Sequence, residues 1–474
     1  MTASETHAGA GPKRLTTLAF WRSVLPRAIH AALAGMAIGA LFFALFCLAN
    51  RASLGRDLPT ARAHVAQAFA SGVLQDQDYL DGNTDIGRHQ YNDCLILRLA
   101  LDQRASRDQL TVSPLVQVPV PPRGECQTVH GFIAGEPPVG TVFYHRYIHG
   151  HAMLARYLLP ILSVAAIRNL YHTTLTLLVV AGIVTGLVAL GRGRRPVQGL
   201  FWLIVFPAFS RWFGLETYGQ SLGHGPADIV LIGYLLFLAI AGTIGGIGRR
   251  TALISAALFG ALTITFEFLT GGIPLGLAAV IGGLPFAWNT RSEGSGQVFP
   301  LEPLIGFCVA IATVMILKIA LVLRVFGWES MRDDALQLRM RMGLDATRGE
   351  THDLGLALMA KKLAKGINGL APGMHVMAGA IVVIALLAGL WGARNLLRSA
   401  RPVMRERAIA LLASNAAILL MLGGFWQHTM IHAWFMERTL VWTIATGFAL
   451  FALACHERGG AQRYSMPPGA GCDR

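Results

Sequence analysis

Long apolar runs alternate with short polar connectors along most of this chain. A helix needs about 20 apolar residues to cross the hydrocarbon core of a bilayer. By that rule ten spans are expected, near 28–49, 170–190, 199–214, 226–247, 251–268, 273–289, 303–326, 374–393, 407–426 and 438–455. The stretch 251–289 reads as a tight pair of helices, broken at Leu269-Thr270-Gly271-Gly272. Two polar segments interrupt the rhythm, 51–157 and 327–373. Within the first, Ala152 to Ile167 is apolar behind a basic, aromatic patch, which predicts an interfacial helix lying along the membrane surface. The second is charged and mostly helical by pattern.

The expectation is an all-α polytopic membrane protein with about ten transmembrane helices and a large first outer loop. Its divisions are a lead (1–27), a first span (28–49), an outer loop with the interfacial helix (50–169) and spans two to seven (170–326). A second outer loop (327–373), spans eight to ten (374–455) and a tail (456–474) complete it.

Composition agrees with the pattern. Of 474 residues, 54% are hydrophobic and 14% charged, where soluble domains carry about a quarter charged residues. The formal net charge of +14 would suggest nucleic acid in a soluble chain. Here the excess lies between apolar runs, in Lys13, Arg14, Arg22 and Arg27, then Arg192, Arg194 and Arg195, then Arg249 and Arg250, then Arg394, Arg398, Arg401, Arg405 and Arg407. With ten spans all of these fall on one side, and that side is cytoplasmic by the positive-inside rule. Both termini are then cytoplasmic, in a bacterial inner membrane, and nucleic acid is excluded as a partner. The loop 51–157 lies outside, with ten basic and ten acidic residues in balance. The polar lead precedes an apolar run too long for a cleaved signal peptide. Of six cysteines only Cys94 and Cys126 share the outer loop, where they either pair or remain free thiols.

Charged groups in spans are costly and usually functional. Here they collect at the outer ends: Arg168 and His172, Arg211 and Glu216, His224 and Asp228, Glu267, Lys318 and Arg324, His428 and His432, and Arg438. Simple reach toward the interface explains Arg324 and Arg211 better than Lys318 and Glu267. An acidic run, Asp76, Asp78, Asp81, Asp85 and Asp93, follows the first span. A positioned carboxylate takes a proton from an acceptor hydroxyl. Asp93 precedes the apolar run Leu95-Ile96-Leu97, which buries and fixes it, and Asp85 is the reserve. The remaining acids suit turns. Tyr144-His145-Arg146-Tyr147-Ile148-His149-Gly150-His151 suits a phosphate or sugar, and equally an aromatic belt with a snorkelling Arg. His428 and His432 share a helix face at metal-chelating spacing, but Thr429 stands where the zinc proteases have Glu. A divalent metal is left open and no cofactor is assigned. No phosphate-binding Gly loop, dinucleotide fingerprint or nucleophile elbow stands in a convincing context.

The layout resembles the GT-C superfamily of membrane glycosyltransferases, which share many helices and a long outer loop carrying a carboxylate. Four segments look like a poorly characterised bacterial group of this class: that of Asp93, Tyr147-Ile148-His149-Gly150 with Arg168, Phe266-Glu267-Phe268-Leu269-Thr270 with Ile273-Pro274-Leu275-Gly276, and His428–Arg438. The paired acid of some members is absent, because Asn92 precedes Asp93 and Cys94 follows it. The resemblance implies transfer of a sugar, such as arabinofuranose, from a polyprenyl-phosphate donor to a glycan, lipid or protein acceptor outside the membrane. Asp93, with Asp85 in reserve, would be the base. Tyr147, His149, Arg168, Glu267, Lys318, His428, His432 and Arg438 would bind substrate, among membrane lipids. The competing readings are an O-antigen or polysaccharide polymerase, and a lipid-linked glycan transporter or flippase. The polymerase fits the arginines of the second loop, against six acids there. A flippase predicts broken helices and internal symmetry, of which the sequence shows little.

Overall fold

The apolar runs form helices whose outer faces are themselves apolar. Leu33, Leu41 and Leu45 of the first helix are more than half exposed, as are Leu177 and Leu187 of a later one and Leu419 and Leu420 of another. Water tolerates no such belt of leucines, whereas a bilayer does. The computed structural model describes residues 17–79, 90–118, 123–216, 219–267, 271–289, 300–342, 344, 375–432 and 436–465. Seven helices are long and apolar enough to cross a membrane by length and composition. The protein is therefore an all-α polytopic membrane protein; β1 (Leu115–Gln117) and β2 (Thr141–Phe143), one antiparallel pair, are the strands among the described residues.

The seven lie within α1 (Thr17–Ser53), α7 (Val164–Gly191), α9 (Gly225–Ile244), α12 (Leu301–Phe326), α14 (His375–Leu397), α15 (Pro402–Gly424) and α17 (Val441–Ser465). The other three expected spans are shorter helices. These are α8 (Pro196–Trp212), α10 (Arg249–Thr265), and α11 (Gly272–Ala278) with the π and 3-10 turns that carry it to Phe286. Each of α8 and α10 has 17 residues, about 25 Å at 1.5 Å per residue, against a hydrocarbon core of about 30 Å.

Backbones meet closely where glycines allow it. A methyl at Gly35 would stand 2.7 Å from the Gly306 carbonyl oxygen, and one at Gly39 would stand 2.9 Å from that of Ala310. So α1 and α12 pack through small residues, the usual route to dispersion contact between membrane helices. The main core joins α7 to α9, α11, α15 and α17 around Trp202, Phe206, Phe286 and Trp442.

The first polar segment folds over one end of this bundle. It holds α2 (Leu58–Ala70), α3 (Gln90–Leu101), α4 (Arg107–Val112), α5 (Glu125–Ile133) and α6 (Gly150–Leu158) with their own apolar core. Cys94 of α3 and Cys126 of α5 are joined by a disulfide. Closing a loop of 32 residues contributes about 4 kcal/mol in the chain-entropy treatment. Asp78 caps α5 from outside, its two oxygens accepting from the amides of Glu125 (3.1 Å) and Cys126 (2.8 Å). The stretch 152–167, expected as one helix along the membrane surface, is divided. α6 ends at Leu158 and buries Ala152, Ala155 and Arg156, and Ser163 then caps α7 through the amide of Ala166 at 3.2 Å. The buried Arg156 guanidinium binds Ser53 at 2.9 Å and Asn50, tying α6 to the end of α1. Of the second polar segment, α13 (Glu329–Arg341) is described, and most of the remainder lies outside the described residues.

Candidate functional site

The buried face of α12 recurs every three or four residues, through Phe307, Ala310, Val314 and Val322, and Lys318 sits in that register. Periodicity therefore aims the lysine at protein and away from lipid. Its ammonium donates to the Val112 carbonyl and to Ser113 Oγ, at the end of α4. Beside it α13 folds back over α12 and leaves a cavity of about 290 Å3. Met315, Ile319, Val322, Met331, Ala335 and Leu338 make the cavity greasy. His145, Arg146, Tyr147, Lys318 and Arg341 give it a polar, cationic side. An apolar trough with cations on one side suits an amphiphile that has an anionic head.

Arg341, the last residue of α13, organises the next layer. One of its terminal nitrogens donates to His428 Nδ1 at 2.6 Å and to His432 Nε2 at 3.1 Å. The two rings are i and i+4 across the end of α16 (Trp426–Ile431), with centroids 4.6 Å apart. A guanidinium thus occupies the place a chelated metal would take. Among the described residues no three His, Cys, Asp or Glu side chains converge as a metal site.

Behind the cavity lies an aromatic wall of Tyr144, Tyr147 and His149. His149 is left-handed, at φ 68°, and its Nε2–H donates to the Tyr144 carbonyl at 2.8 Å. Burial pushes its pKa well below the usual imidazole range, and the nearby Lys318 and His151 charges add to this. His145 is lowered to about 4, first by burial and then by Lys318. Tyr147 is raised, chiefly by burial and then by the neighbouring Tyr144, against the pull of the Arg341 and Arg146 charges. Glu267 is buried, with one carboxylate oxygen directly over Gly272; a Cβ there would lie 2.1 Å from it. Gly272 therefore leaves room for the carboxylate.

The other sequence candidates fall elsewhere. Asp93 is buried and fully engaged: one oxygen accepts from Arg168 Nε (2.7 Å) and Nη2, the other from the Leu222 amide at 2.5 Å. Arg168 also donates to the Val73 carbonyl at 2.9 Å. Beside it, Asn92 bonds His224 Nε2 at 2.5 Å. Asp93 and Arg168 thus pin α3 and α7 to the 219–224 turn. Arg438 pairs with Asp228 at 2.6 Å and stands 3.8 Å over the Phe213 ring, bracing α9 against the start of α17. Asp85 lies outside the described residues.

Arg341, which lines the cavity, and Glu125, which is not among its lining residues, were not singled out from the sequence. Arg341 was one of several loop arginines, and nothing local marks it. Glu125 forms a buried pair with Arg98 at 2.8 Å. Burial raises its carboxyl to about 7; Arg98 pulls it down and Asp78 pushes it up. Only its neighbour Cys126 could have drawn attention to it.

Compared with known proteins, the chain matches no family model, no curated protein and no solved structure.

Proposed function

We propose that the protein is an integral-membrane glycosyltransferase of the GT-C type, using a polyprenyl-phosphate sugar, such as an arabinofuranose, as donor. In this reading the chain crosses a bacterial inner membrane ten times, with both termini cytoplasmic and the α2–α6 segment outside. The acceptor is an extracytoplasmic glycan, lipid or protein. The observation that carries the reading is the cavity between α12 and α13, apolar along Met315, Ile319, Val322 and Leu338 and cationic at Arg146, Lys318 and Arg341. A prenyl chain suits the first surface and a phosphate suits the second.

The chemistry is substitution at the anomeric carbon. The acceptor hydroxyl oxygen forms the new bond, the bond from that carbon to the phosphate oxygen breaks, and polyprenyl phosphate leaves as an anion held by the cations. Glu267 is assigned as the base that takes the hydroxyl proton, because it is a buried carboxylate that follows Thr265 and Phe266, which pack against Gly150 beside His149 of the aromatic wall. His428 and His432 hold Arg341 in place. Asp93, Arg168 and Arg438 are assigned to positioning the elements, since Asp93 and Arg168 satisfy each other and Arg438 is paired with Asp228. Arg341 lies in the second outer loop, which also suits a polymerase acting on polyprenyl diphosphate.

Binding of polyprenyl phosphate to the purified protein tests the reading. Arg341→Gln should weaken it about tenfold or more, a typical loss for one charge-assisted contact. Glu267→Gln should leave it unchanged and slow sugar transfer roughly a hundredfold, the usual worth of a general base. No binding by the wild-type protein would sink the proposal, and tighter binding of the diphosphate would favour the polymerase.

A further inference from the structure

The opposite end of the bundle carries a second cavity, of about 780 Å3. It lies where α7 ends, α8 begins, α9 ends and α15 passes, with Trp288 and Asn289 also in its wall. Four arginines line it, Arg192, Arg194, Arg195 and Arg407, and among the described residues no carboxylate does. Arg192 and Arg194 are exposed. Arg195 donates to the carbonyls of Gly242 (2.9 Å) and Gly245 (2.7 Å), which closes the end of α9 and keeps its charge at the cavity.

Arg407 is the unusual member. It is 6% exposed, in the second turn of α15. Its guanidinium stands 5.0 Å from the centre of the Phe286 ring and makes one long bond, 3.4 Å, to the Pro285 carbonyl. Topogenic arginines need only be near the interface, and that need does not bury one. At the same end of the bundle other arginines do meet carboxylates: Arg249 pairs with Glu302, and Arg401 with Glu457. Among the described residues none of the four cavity arginines forms such a pair. A buried cation is stable only when its charge is met.

We propose that this cavity binds a phosphate-bearing anion, whose charge replaces the missing carboxylates. Arginine presents a planar fork to phosphate oxygens, and basic pockets between membrane helices hold anionic headgroups. The volume lies within the range of small-molecule sites, about 300–1,000 Å3. Ile244 in the wall is 77% exposed, and Leu187 of α7 is 55% exposed nearby along the chain, so acyl chains have an apolar surface to follow. The phosphate belongs either to a membrane lipid or to a free anion. The site is separate from the α12–α13 cavity, and the inference stands whether or not that cavity takes a sugar donor.

The test uses full-length protein in a neutral detergent, titrated with phosphatidylglycerol or phosphatidylcholine and read by native mass spectrometry. The variants are Arg407→Gln and the surface pair Arg192→Gln/Arg194→Gln. Phosphatidylglycerol should bind in preference to phosphatidylcholine, and each variant should weaken it, by about fivefold per arginine removed. Inorganic diphosphate that competes through the same arginines identifies a free anion as sufficient; diphosphate that does not compete assigns the site to lipid. The surface pair decides the matter if Arg407→Gln does not fold. Equal binding of the two lipids together with no diphosphate binding, or wild-type affinity in the surface pair, would overturn the proposal.

Discussion

Replacing Asp93 by Asn separates a positioning role from a chemical one. The substitution keeps the shape and leaves an oxygen for the Leu222 amide, but it turns an NH2 toward the donors of Arg168. Removing one partner of a buried pair costs about 3–5 kcal/mol. The Asp93 side chain is 3% exposed and that of Arg168 18%. Water reaches the guanidinium and trims the expected cost to about 2–4 kcal/mol. Thermal unfolding in detergent should therefore fall clearly for Asp93→Asn and for Arg168→Gln. The double variant should be no worse than either single, with a coupling of about 1.5–3 kcal/mol. Sugar transfer per folded molecule should fall far less than in Glu267→Gln. An Asp93→Asn protein that melts at the wild-type temperature, yet transfers sugar a hundredfold more slowly, would make Asp93 a chemical group and refute this assignment.

Two further outcomes are expected. His149 has a folded pKa below that of the unfolded chain, so the unfolded state binds more protons as pH falls, and stability present above about 6.5 is lost on acidification. His149→Asn, which tolerates the left-handed backbone, should make that acid slope shallower by up to about 1.4 kcal/mol per pH unit. Glu125 runs the other way: raised to about 7 from 4.5, its contribution is full below 4.5 and is lost as pH rises through 7. Glu125→Gln should therefore remove a loss of stability between those values, and an unchanged pH profile would contradict its burial as a neutral acid. For orientation, Ser71→Cys in the α2–α6 segment and Arg194→Cys at the other end, in a background lacking the free cysteines, should label from opposite sides of the membrane. Labelling from the same side would break the topology on which the proposed function rests.

Sequence alone determined the class of the molecule and the ends at which its polar groups gather. Apolar runs of 17 residues or more have few stable forms other than membrane helices, and arginines in short connectors mark one end. The i, i+4 spacing brought His428 and His432 to one face because helix geometry is local. The seating of Lys318 was legible for the same reason, from its register in α12. What α13 would do was not legible. Its fold-back makes the apolar cavity and puts Arg341 between two histidines 87 and 91 residues away in the chain, and no periodicity records such a contact. The disulfide was open in the sequence, because pairing depends on α3 meeting α5. Asp93 read as a carboxylate awaiting a substrate, since no local pattern pairs it with a particular cation; the structure brings Arg168 from 75 residues away and satisfies it. Charge pairing across α-helices is set by packing angle and depth, which belong to the tertiary structure. The same reason hid the arginine cavity: three arginines of one connector and a fourth on a helix face look like topology signals until packing buries one of them with no carboxylate partner among the described residues.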